Sequence, residues 1–223
     1  MQSSYTLCVQ ILAWLLVGLF LGCFVALSAR REIQHLRSIG HTYGENHFAS
    51  TWWAIFVCCL ICAAFFSFVA VHTETFEDQV IVGLLVIGGL WFAIVDLDTH
   101  VIPFHAVVKF SAATCALFAV IIGNDTHMLQ QVCVGAITMW VLLFLVRVLS
   151  RGDMGGGDVS LGASLGLYLG WSSSTAAYVA LIASFMAGGG VALTLLLLRK
   201  ADRDTRFPFG PCLIVGSMFA VLR

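Results

Sequence analysis

The sequence predicts an all-α polytopic membrane protein of about eight transmembrane elements, the sixth of them short. Three observations carry that prediction. Of 223 residues, 60% are hydrophobic and only 10% are charged, where a soluble domain carries roughly 25% charged residues. Apolar runs long enough to cross a hydrocarbon core of roughly 30 Å recur along the whole chain. The basic residues, finally, collect on one side of the elements those runs define.

The runs cover approximately 6–28, 51–71, 79–95, 104–123, 130–149, 159–171, 174–198 and 208–222. Each is expected to be helical, because a backbone in hydrocarbon must satisfy its own hydrogen bonds. The first run has no charge before Arg30 and no small-residue cleavage site, so it reads as a retained span and not a cleaved signal peptide. Gly18 and Gly22 within it are spaced for close helix packing, as are Gly162, Gly166 and Gly170 in the sixth. Residues 29–50, with His35, His41 and His47, form the one sizeable polar piece and are too few to fold alone. The sixth run, at about 1.5 Å per residue, reaches only about 20 Å, so it is expected to start below the membrane surface or lean on its neighbours.

Orientation follows from the positive-inside rule. With the N-terminus outside and eight spans, the interior receives Arg30, Arg31, Arg37, Lys109, Arg147, Arg151, Arg199, Lys200, Arg203 and Arg206. That is all of the 11 Lys and Arg residues except Arg223. The exterior connection at 72–79 carries Glu74, Glu77 and Asp78 instead.

Composition also excludes partners. A net charge of −1 and no dense basic cluster give no basis for nucleic-acid binding. Cys8, Cys23, Cys58, Cys59, Cys62, Cys115 and Cys133 lie in apolar runs and Cys212 near the start of the last, where free cysteine acts as a small hydrophobe. Cys59 and Cys62 have the C-x-x-C spacing of half a zinc site, but no second pair follows, and a structural zinc takes four ligands. No metal and no cofactor are expected.

Charged side chains cost about 2.5–3.5 kcal/mol each at the centre of a membrane helix, so acids retained near spans need a reason. Of the 12 acids, eight fall in connections. The remaining four are Asp96 and Asp98 at the interior end of the third span, and Asp153 and Asp158 before the sixth. Both pairs fall on the interior side. Asp158 follows Gly155, Gly156 and Gly157, which free the backbone and admit a close neighbour. An acid ahead of a helix is also what capping alone selects. Two carboxylates brought close share a proton: one is base to a water while the other is acid toward an amide carbonyl. Such a pair titrates as a unit. Asp98 lies roughly 200° around a helix from Asp96 and suits a loop or cap. Asp153 reads as a bystander.

The string Met154-Gly155-Gly156-Gly157-Asp158-Val159-Ser160-Leu161, ahead of a glycine-rich short span, resembles the G-x-G-D segment of the type IV prepilin peptidases. Val95-Asp96-Leu97-Asp98-Thr99-His100-Val101-Ile102-Pro103 resembles their other acid segment, with an aspartate seven residues before a proline. Phe207-Pro208-Phe209-Gly210-Pro211 resembles a third, P-F-G-P. The resemblance covers roughly residues 79–223. It implies an aspartic endopeptidase with Asp96 and Asp158 catalytic, and with Gly155, Gly156, Gly157, Pro103, Pro208 and Gly210 shaping the substrate site or its loops. It further implies prepilin or pseudopilin substrates, a lipid bilayer as surroundings, a bacterial inner membrane and an active site facing the cytoplasm.

The chain departs from the family pattern at three places. Ser160 stands where members often have lysine, and Gly22-Cys23-Phe24 stands where G-S-F is expected. Residues 29–50 contain no cysteine, so the paired C-x-x-C zinc subdomain is not expected and methyl transfer is unsupported. The expected organisation is a first span and short cytosolic loop over 1–50, then a membrane-embedded peptidase core over 51–223. Three rivals are weaker. A protease of the presenilin or signal-peptide-peptidase type carries tyrosine before its first aspartate, where this chain has Val95. A proton-coupled transporter needs repeats or broken helices in both halves. An inactive pilus scaffold would be expected to lose an aspartate.

Overall fold

A computed structural model describes residues 2–40, 51–73, 75–151, 154–198 and 208–223. The expectations for His41, His47, Glu74, Asp153, Lys200 and Phe207 lie outside the described residues. The described residues form eight helices and no strand: α1 (Gln2–Ser38), α2 (Trp52–His72), α3 (Phe76–Thr99), α4 (Phe104–Ile122), α5 (Thr126–Leu149), α6 (Gly156–Ser172), α7 (Ala176–Leu197) and α8 (Gly210–Val221). Six of them are long and apolar enough to cross a membrane. The sixth is short, as expected, at 17 residues, and α8 is shorter still at 12. The protein is an all-α, multi-pass membrane protein.

Local chemistry sets the helix starts. Thr75 and Asp78 cap α3 reciprocally: the Thr75 hydroxyl donates to the Asp78 carboxylate at 2.7 Å and accepts from the Asp78 N–H at 3.1 Å. Asp125, expected to be a solvated loop residue, is the N-cap of α5 and accepts from the His127 and Met128 N–H groups. Pro103 begins α4 with its fixed φ, and its carbonyl accepts from Ala106 and Val107.

The chain divides into two compact units, residues 1–99 and 100–223. In the first, α1 lies along α2 at backbone contact, because a Cβ at Gly18 or Gly22 would stand 2.7 or 2.6 Å from the Cα of Ala63 or Cys59. Helix α1 continues to Ser38, ten residues past the apolar run and through what reads in sequence as loop. The continuation keeps a buried stripe, Ala29, Ile33 and Leu36, which joins Val25 and Ala26 against Ile94 and Val95 of α3. That packing holds the extension helical although its other faces are polar.

In the second unit α6 is the centre, touching α4, α5, α7 and α8. Gly166 and Gly170 lie against Ala136 and Val132 of α5 so closely that an added Cβ would sit 2.7 Å from each Cα. Across α4, the Ser111 and Ser164 hydroxyls meet at 2.5 Å and the Thr114 hydroxyl meets the Tyr168 phenol at 2.7 Å. These are the close contacts and polar links that join helices where lipid supplies no hydrophobic drive.

Candidate active site

Asp96 is buried within the last turns of α3. The end of that helix is fixed locally. The Thr99 hydroxyl donates to the Val95 carbonyl at 2.7 Å, and His100 takes a left-handed conformation with φ 52° that stops the helix. Asp98 is not a loop residue: it belongs to the final helical turn, is fully buried, and pairs with Arg37 of α1 at 3.6 Å. An apolar pocket would not tolerate a lone carboxylate, so the helix end and the Arg37 guanidinium come together as one arrangement.

Asp158 stands in the first turn of α6, three residues after the N-cap. The N-cap is Gly155, which has no side chain to cap the helix, and Asp158 reaches back so that its carboxylate accepts from the Gly155 backbone. That is half of a capping box. Its other oxygen, Oδ1, is buried with no hydrogen-bond partner. Capping therefore explains one oxygen and leaves the second for something else. Ser160, at the position where lysine is common among the prepilin peptidases this segment resembles, donates its hydroxyl to the Gly156 carbonyl at 3.1 Å.

The glycines before Asp158 differ in what they admit. At Gly157 an added Cβ would lie 2.8 Å from the Cβ of Ile102 and 3.0 Å from its carbonyl oxygen. At Gly156 it would meet the guanidinium of Arg147. So Ile102, from the stretch that runs between Asp96 and Pro103, packs directly on the residue before Asp158. Pro208 lies just ahead of α8, Gly210 is the buried first residue of that helix, and the Phe209 ring between them packs on Phe185 and Gly188 of α7. Arg37 is the functional-site candidate that sequence reasoning passed over, having counted it only toward orientation. Its signal was its place one residue past Leu36 on a helix whose buried stripe continues that far. Among the described residues no grouping of three or more His, Cys, Asp or Glu side chains is placed to hold a metal ion.

An all-helical membrane protein with a buried acid at the end of one helix and a half-satisfied acid at the start of another fits the membrane aspartic proteases. The profile of the type IV leader peptidase family matches residues 80–193, half of the chain, and the chain belongs to that family. Asp96, Pro103 and Asp158 fall inside the match; Arg37, Pro208 and Gly210 fall outside it. Relatives named prepilin leader peptidase/N-methyltransferase include one from Legionella pneumophila, 28% identical over 158 residues, which are 66% of this chain and 51% of the relative. One from Bacillus subtilis is 27% identical over 164 residues, 74% of this chain and 62% of the relative. One from Aeromonas hydrophila is 33% identical over 89 residues, 40% of this chain and 30% of the relative. The chain thus aligns with between 30% and 62% of these relatives' length. No solved structure matches it significantly.

Proposed function

We propose that this protein is a membrane aspartic endopeptidase that removes the leader from type IV prepilins or related pseudopilins, with Asp96 and Asp158 as its catalytic pair. The observation that carries the reading is the Asp158 carboxylate: one oxygen caps α6, the other is buried and unbonded, and the residue before it packs on Ile102, six positions along the chain from Asp96. Family membership supplies the reaction class.

The two carboxyl groups share one proton. The ionised one takes a proton from water as the water oxygen bonds to the peptide carbonyl carbon, and the protonated one gives its proton to the carbonyl oxygen. Collapse of the tetrahedral intermediate breaks the C–N bond: the leaving nitrogen takes the proton the first carboxylate accepted, and a hydroxyl of the intermediate returns its proton to the second carboxylate, restoring the singly protonated pair. Either aspartate fills either role at the outset, because the pair titrates together.

The bacterial inner membrane is the assigned location, with the site facing the cytoplasm. Support for that side comes from α1, whose Arg30 and Arg31 mark the interior boundary under the positive-inside rule; the end of α3 packs at the level of Ile33 and Leu36, further inward. Residues 51–223 would then be the peptidase core, with 1–50 a first span and short cytosolic segment that lacks the paired C-x-x-C motifs of the zinc subdomain and so gives methyl transfer no support. The test is co-expression with candidate prepilins, following leader removal on a gel and the new N-terminus by mass. Cleavage at the junction between the basic leader and the apolar helix is expected. A panel of prepilins and pseudopilins left wholly unprocessed by well-expressed protein contradicts the assignment.

A further inference from the structure

We infer that Arg37, outside the region matched by the family profile, is a positioning residue: through its ion pair with Asp98 it fixes the last turn of α3 and with it the Asp96 carboxyl. The inference rests on the reading of Asp96 as catalytic and adds to it a part for α1.

The last turn of α3 is an unfavourable place for an acid. The C-terminal end of a helix carries the negative end of the macrodipole, and Asp98 is fully buried there with none of its side chain in contact with solvent. A buried carboxylate without a counter-charge is costly. The Arg37 Nη2 stands 3.6 Å from Asp98 Oδ2 and is itself mostly buried, with 28% of the side chain exposed. Removing it would take a counter-charge away from a fully buried carboxylate, a loss the chain relieves by fraying or shifting that turn. The turn in question spans the backbone of Asp96.

Arg37 acts on Asp96 through that backbone. Positions 96 and 98 lie about 200° apart around the helix, so the pairing with Asp98 reaches Asp96 by way of the turn they share. Two further locks act on the same few residues: the Thr99 hydroxyl on the Val95 carbonyl, and the packing of Ile94 and Val95 against Ala29, Ile33 and Leu36. Arg37 completes this set from the end of α1, one residue beyond the last apolar contact. At 3.6 Å the contact is an ion pair and not a bidentate hydrogen-bonded fork. Charge is therefore what counts, and lysine, reaching the same place with the same charge, should largely replace arginine.

The experiment compares purified full-length protein in lipid nanodiscs with a synthetic prepilin leader-junction peptide as substrate. Wild type, Arg37→Ala, Arg37→Lys, Asp98→Asn and the double variant Arg37→Ala/Asp98→Asn are each assayed well below the lowest melting temperature of the set. Arg37→Ala is expected to lower kcat by about 100-fold, the scale of a small misplacement of a reacting group, with KM nearly unchanged. Arg37→Lys should recover at least about a tenth of wild-type kcat. The double variant should be no slower than Arg37→Ala alone, since partners in one contact do not act additively. A wild-type kcat for Arg37→Ala would overturn the inference and show that the pair only stabilises the fold. Losses that multiply in the double variant would overturn it too. An inactive wild type would instead strike the assignment as a prepilin peptidase, and this inference with it.

Discussion

Gly156 and Gly157 are adjacent and chemically identical, yet the contacts around them differ in kind. A methyl at 157 meets the Cβ and the backbone carbonyl of Ile102, neither of which can swing away. A methyl at 156 meets the far end of the Arg147 side chain, which has rotamers to spare. Gly157→Ala is therefore expected to cost about 1–3 kcal/mol as an overpacked site and to displace Asp158, cutting cleavage sharply. Gly156→Ala should cost less than about 1 kcal/mol and keep most of the activity. Thermal melts in detergent and peptide cleavage rates check both, and equal penalties at the two positions would contradict the contact geometry. At this scale Asp96 and Asp158 stand out as candidates because three motifs lie in order along the chain. The role of Arg37 does not, because pairing across helices leaves no local pattern. Asp98, expected in a loop or cap, lies in the helix for the same reason: its counter-charge comes from Arg37, 61 positions away.

The seam between α5 and α6 leaves no room for a side chain at its glycines. Gly135, Gly166 and Gly170 bring the two backbones into contact, so a larger side chain there cannot be absorbed by a rotamer change. Gly166→Leu should exceed the about 1–3 kcal/mol of ordinary overpacking and lower the yield of folded protein. Gly189→Leu, on α7 with open space around it, should leave the melting temperature within a few degrees of wild type. If both variants melt alike, the seam is not as tight as described. The existence and order of the helices could be read from apolar runs alone, since hydrocarbon allows few alternatives. Their ends could not. Helix α1 runs on to Ser38 on the strength of Ile33 and Leu36 packing against α3, a tertiary contact that hydropathy does not record. Asp125, assigned to a loop, caps α5 because its side chain reaches two N–H groups of the next turn.

For the whole molecule, the proposed orientation has the α2–α3 connection outside and the α5–α6 connection inside. Alkaline phosphatase, which is active only outside the cytoplasm, should be active when fused after Thr73 and inactive when fused after Ser150. The reverse pattern would place Asp158 on the outer face and rule out cleavage of cytosolic leaders. The central claim is narrower: two aspartates, one at the end of α3 and one at the start of α6, hydrolyse a peptide bond together. The measurement that tests it most directly is the single-turnover cleavage rate of a prepilin junction peptide by purified wild type, Asp96→Asn and Asp158→Asn, each shown folded by its melting curve. Both variants are predicted to fall at least about 10³-fold, within the range of a lost acid–base group, while binding the peptide as wild type does. If either variant cleaves within about tenfold of wild type, the two aspartates are not the catalytic pair.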